Sequence, residues 1–194
     1  MSFYVWRHQC RIKVSFYFFA LLCAAALFDR SGILLWGLLA ALLHEGGHLA
    51  AMLCLSDRVP REISLTPFGI RIENSPLSAG GRGHVLILAA GSGMNALCAA
   101  VTFGFLHDFA AVSLLLGVFN LLPVEGMDGG GILRAAMEKL FSESASARVT
   151  KAVSRVTLLG MALLGGYVFY VTGYNFSLLG ASAALALRGM RHKG

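Results

Sequence analysis

Three side chains able to bind metal or move protons stand within five consecutive residues, His44-Glu45-Gly46-Gly47-His48. On a helix, positions i and i+4 share a face, so His44 and His48 can reach one metal ion. Glu45 lies about 100° round the helix from His44, on the same general side. Two imidazoles beside a carboxylate suit metal-assisted hydrolysis: the imidazoles hold Zn²⁺ and the carboxylate takes a proton from water. The surrounding stretch, 33–55, carries no other charged residue. An ionisable side chain inside such a stretch costs about 2.5–3.5 kcal/mol on membrane-insertion scales, so its presence needs a functional reason. Two readings compete: buried histidines bonded to neighbouring helices, and bis-histidine haem ligation. Neither accounts for Glu45.

Catalytic zinc sites take three protein ligands and leave one position open. Asp128 is the candidate third ligand, in Asn120-Leu121-Leu122-Pro123-Val124-Glu125-Gly126-Met127-Asp128-Gly129-Gly130-Gly131. Pro123 cannot continue a helix without losing a hydrogen bond, and Leu122 before it is biased out of the α region. A helix should therefore break there into a short extended segment. The glycines after Asp128 allow a tight turn and close backbone approach. Glu125 is the rival third ligand, and a turn or helix cap is the bland reading of Asp128.

The elements that must position these residues are membrane spans. Of 194 residues, 57% are hydrophobic and only 13% charged. Soluble domains run about 45–50% apolar and about 25% charged, so a soluble globular enzyme is excluded. The net charge of +6 does not indicate nucleic acid, because the basic residues are scattered in short groups between apolar runs. Six apolar stretches are read at about 14–28, 33–55, 85–106, 109–122, 156–171 and 176–187. Of the 16 Lys and Arg residues, all but Arg30 fall on one side of this alternation. By the positive-inside rule both termini face the cytoplasm. The expected fold is an all-α polytopic membrane protein of about six transmembrane helices, residues 1–194 forming one membrane-embedded domain. Cleavage of the first stretch as a signal peptide, after Ala24-Ala25-Ala26, is the competing reading of residues 14–28. Cys10, Cys23, Cys54 and Cys98 lack metal-type spacing and read as small hydrophobes.

His44-Glu45-x-x-His48 in one span, followed by Asn120-x-x-Pro123-x-x-x-x-Asp128-Gly129, resembles the site-2 protease family of intramembrane zinc metalloproteases. Leu65-Thr66-Pro67-Phe68-Gly69 after the second span is similar to a segment of the sporulation-type members, which process pro-sigma factors. The resemblance covers about residues 12–140. It implies one Zn²⁺ per chain held by His44, His48 and Asp128, Glu45 as general base, and Asn120 as a polar group that holds substrate backbone beside the site. A membrane protein substrate, a bacterial cell membrane and a regulatory membrane protein are further implications. The chain departs from the family at Gly47, where a larger residue is common, and at Gly91-Ser92, where the family carries Gly-Pro, although Asn95 remains. Neither a PDZ nor a CBS domain is expected.

Residues 61–73 alternate apolar and polar around Pro67-Phe68-Gly69, which predicts a small β-hairpin after the second span. A protease reads its substrate in extended form, and an exposed strand edge can pair with it. His8, His84, His107 and His192 are read as interface or loop residues. The function expected is cleavage of a peptide bond in or near a membrane segment; the alternative is a membrane metal- or haem-binding protein without hydrolytic activity.

Overall fold

The computed structural model describes residues 2–7, 10–15, 29, 31–55, 62–66, 69–73 and 81–191. The chain is mostly helical. It divides into two compact units, Met1–Phe119 and Asn120–Gly194.

In the first unit, the strands β1 (Ser2–Arg7), β2 (Cys10–Ser15), β3 (Glu62–Thr66) and β4 (Gly69–Glu73) form a sheet in that order. β1–β2 and β3–β4 are antiparallel, whereas β2 and β3 run parallel, with Ile12 opposite Ile63. The sheet exceeds the small hairpin predicted from residues 61–73. Its two N-terminal strands carry period-two alternation, as in Arg11-Ile12-Lys13-Val14, which the basic character of this segment masks.

Helix α1 (Ile33–Leu55) coincides with the predicted second span. Asp29 starts it: one carboxylate oxygen accepts from the Ser31 hydroxyl at 2.8 Å and the other from the Leu34 amide at 2.8 Å. These bonds, the Ser31 hydroxyl foremost, hold the Asp29 carboxyl below the ordinary carboxylate range. Helix α2 (Gly81–Thr102) packs along α1. Gly47 sets the spacing, since a Cβ there would lie 2.6 Å from the Ala90 carbonyl oxygen and 2.8 Å from Met94 Cβ. The two helices meet backbone to backbone, which is the reason a larger residue is missing at this position. Helix α3 (His107–Asn120) follows, and its Phe109 ring packs against Trp36 of α1 at 5.6 Å.

The second unit holds α4 (Asp128–Met137), α5 (Glu143–Thr172) and α6 (Ser177–Arg191). Gly173 ends α5 in the left-handed conformation, φ 75°, its amide bonded to the Phe169 carbonyl at 2.8 Å. Gly165 lets α5 and α6 approach closely, because a Cβ there would lie 2.9 Å from the Leu179 nitrogen.

Among the described residues, three helices are long and apolar enough to cross a membrane: Ile33–Leu55, Gly83–Thr102 and Glu143–Thr172. His107–Asn120 and Ser177–Leu187 are apolar but shorter. Most of the predicted first span, residues 16–28, lies outside the described residues, and 14–15 belong to β2. The predicted fifth span, 156–171, is the C-terminal part of a much longer helix. Leu35, Leu115 and Val156 are 69%, 69% and 71% exposed, an outward apolar surface that suits lipid better than water.

The contact at Gly47 gives a paired test. Gly47→Ala forces α1 and α2 apart, at about 1–3 kcal/mol by analogy with overpacked cores. A Cβ at Gly46 meets nothing within 4 Å, and there Ala gains helix propensity. Thermal unfolding in detergent should show a lower midpoint for Gly47→Ala and an equal or higher one for Gly46→Ala.

Candidate metal centre

His44 is buried and His48 partly so on α1. Their Nε2 atoms converge to 3.2 Å, the rings meeting edge to face at 87°. The Nδ1 of His48 lies 2.7 Å from the Ile87 carbonyl oxygen of α2. A carbonyl only accepts, so this bond puts the His48 proton on Nδ1 and leaves a lone pair on Nε2. Histidine ligands of metals are commonly held through the other ring nitrogen in this way. Two nitrogens bound to one tetrahedral zinc ion at 2.0–2.1 Å lie about 3.3–3.4 Å apart. The observed 3.2 Å fits that donor arrangement. Gly91 of α2 faces the pair: a Cβ there would overlap His48 Nε2 and come within 2.8 Å of His44 Cε1. Glu45, between the histidines, is half-buried.

In the second unit, helix α3 contributes its last residue, Asn120, half-buried where the chain turns. The helix stops before Pro123, as expected, but residues 121–127 form a turn and not an extended segment. The Val124 amide bonds to Leu122 O at 2.7 Å and the Met127 amide to Val124 O at 3.0 Å. Gly126 has φ 88°, which the turn requires. A Cβ at Gly129 would overlap the Leu121 carbonyl, and one at Gly130 the Val124 carbonyl. The turn therefore folds directly onto the start of α4. Met127, extended at φ −108°, is the N-cap residue and makes no side-chain capping bond. Asp128 is the first helical residue and not the cap, its charge favoured by the helix N-terminus. The Glu125 amide donates to Ser154 Oγ of α5 at 3.0 Å, which anchors the turn.

His84 and His107 are not grouped with the His44–His48 pair, and His107 packs on Phe103 at 5.8 Å. Cys54 and Cys98 are free thiols. Cys23, His8 and His192 lie outside the described residues. The sequence marked Gly91 only as part of a departure from the family, not as a residue facing the histidines, and gave no sign of the Ile87 carbonyl. The first carries a weak signal, a glycine in an apolar span; a backbone acceptor carries none.

A helical membrane protein with a paired-histidine metal helix is the class this architecture defines. The fold resembles the site-2 protease from Methanocaldococcus jannaschii, with TM-score 0.67 and 21% identity over 95% of this chain and 92% of the other. Residues 103–164 match peptidase family M50. The zinc metalloprotease MJ0392 of Methanocaldococcus jannaschii is 35% identical over 63 residues, 32% of this chain and 19% of that protein. The regulator of sigma-E protease RseP of Escherichia coli (strain K12) is 34% identical over 83 residues, 43% of this chain and 18% of that protein. The chain thus spans under a fifth of the length of these relatives in its matched region. The match to peptidase family M50 covers about a third of the chain, and the likeness to the site-2 protease structure is one of fold.

Gly91→Ala should displace one or both imidazoles. Zinc per purified chain is expected to fall sharply while helix content by circular dichroism stays at the wild-type level. Unchanged zinc would mean that the rings do not need this floor.

Proposed function

We propose that the chain is an intramembrane zinc metalloprotease that cleaves a peptide bond in or near a membrane segment of a protein substrate. The observation that carries this reading is the convergence of His44 and His48 Nε2 at 3.2 Å on an apolar helix, with Glu45 between them. The donor set we assign is His44, His48 and Asp128, the last by its place in the motif after Pro123. Two imidazoles and a carboxylate suit a catalytic zinc ion. When bound, zinc supplies polarisation of the scissile carbonyl and a lowered pKa for the attacking water.

Glu45 takes the proton from that water and passes it to the leaving amine. Asn120 holds substrate backbone, having both a donor and an acceptor to offer. The substrate must be unwound at the cut, since a helix engages its own carbonyls. β4 lies at one edge of the sheet, and an extended substrate segment pairs there. Haem ligation is disfavoured: axial ligands stand on opposite faces of the ring, and imidazole nitrogens 3.2 Å apart leave no room for one between them.

The membrane arrangement we propose is one domain over residues 1–194, six crossings and both termini in the cytoplasm. Supporting it, β2 and β3 share a sheet although α1 runs between them, so an even number of crossings separates these strands. A bacterial cell membrane, a membrane-bound pro-sigma-factor substrate, a role in sporulation and a regulatory membrane protein complete the proposal. They rest on the Leu65–Gly69 resemblance.

Three experiments test it. Wild type should hold about one zinc per chain, and His48→Ala and Asp128→Asn should lose it. Glu45→Gln should keep the zinc and cut cleavage of a reconstituted transmembrane reporter by about 10²-fold or more; an active Gln variant would refute the assigned base. Ile70→Pro in β4 should abolish cleavage with zinc retained, and undiminished cleavage would remove the sheet edge from substrate binding.

A further inference from the structure

One buried polar side chain on α2 is not explained by helix packing. Asn95 is 0% exposed. Its Nδ2 lies 3.3 Å from His44 Nδ1, and its Oδ1 is buried without a hydrogen-bond partner. The residue is clamped in place: the Ser113 hydroxyl donates to its backbone carbonyl at 3.3 Å, and a Cβ at Gly117 would lie 3.1 Å from Asn95 Cβ. The two ends of an amide have the same shape, and which is which is assigned from the bonds they make.

The chemistry of His44 makes that assignment. Its Nε2 faces His48 Nε2 and is therefore the ligating atom. A neutral imidazole that ligates through Nε2 carries its proton on Nδ1, which then needs an acceptor. An amide NH₂ cannot supply one, whereas the Oδ1 of the same amide can. We infer that Asn95 is a positioning residue that turns Oδ1 to the Nδ1–H of His44, fixing the tautomer and ring plane in which His44 binds metal. The inference rests on the zinc reading above. It also satisfies the buried Oδ1. With the Ile87 carbonyl on His48, helix α2 then supplies one acceptor to each histidine, one from backbone and one from a side chain. A neutral amide does this without adding a negative charge inside the membrane.

The test compares wild type with Asn95→Leu, of similar size without an acceptor, and Asn95→Asp, of similar size with one. The full chain in detergent is dialysed against graded chelator. Retained zinc and the thermal midpoint of the stripped protein are measured. Asn95→Leu should hold zinc about 10–100-fold more weakly at an unchanged midpoint, and Asn95→Asp should stay within about threefold of wild type. Equal retention by Asn95→Leu, or an Asp variant as weak as Leu, overturns the inference while the zinc site stands. If wild type itself binds no zinc, the zinc reading fails and this inference falls with it. Should Asn95→Leu not fold, Asn95→Asp alone decides: near-wild-type retention supports the acceptor role, and a loss of about tenfold or more refutes it.

Discussion

No side chain fits at Gly47 or Gly91, where α1 and α2 meet beside the histidine pair, and the first unit is organised by that constraint. Gly47 on one helix and Gly91 on the other bring backbone against backbone and backbone against imidazole. Each mid-helix glycine costs about 1 kcal/mol in helix propensity. The cost is offset by what the close approach allows. The Ile87 carbonyl comes within 2.7 Å of His48 Nδ1, and Asn95 within 3.3 Å of His44 Nδ1. A wider helix pair would leave both rings free to rotate about χ2.

Polar groups inside an apolar span are expensive, so the chain meets their needs from neighbouring helices. His48 is served by a backbone carbonyl that belongs to a helix. Ser113 is served in the same way by the Asn95 carbonyl. This economy suits a bilayer, where water is absent and each unpaired polar group costs several kcal/mol. A metal ion bound at Nε2 uses the one position on each ring that these bonds leave for a ligand.

The second unit solves a different problem, that of presenting a carboxylate from a helix start. Pro123 ends the preceding helix and Gly126 supplies the positive φ of the turn. Gly129 and Gly130 let that turn fold against the first turn of α4. Asp128 therefore sits on a short rigid scaffold, anchored through the Glu125 amide to Ser154, and not on a free loop.

The residues alone determined the membrane class, the paired-histidine motif, the break before Pro123 and the bounds of α1. Each depends on composition, helical period or one residue's backbone limits, which are local properties. Helices α2 and α3 start four and two residues before their predicted spans, since polar residues such as Arg82 and His107 continue the helix beyond the apolar stretch. Tertiary structure alone decided that two N-terminal strands join β3 and β4, that the turn at 121–127 is compact, and that Gly91, Ile87 and Asn95 surround the histidines. Those facts depend on which backbone lies beside which, and a carbonyl group is the same at every position in a sequence until folding brings it opposite a particular ring nitrogen.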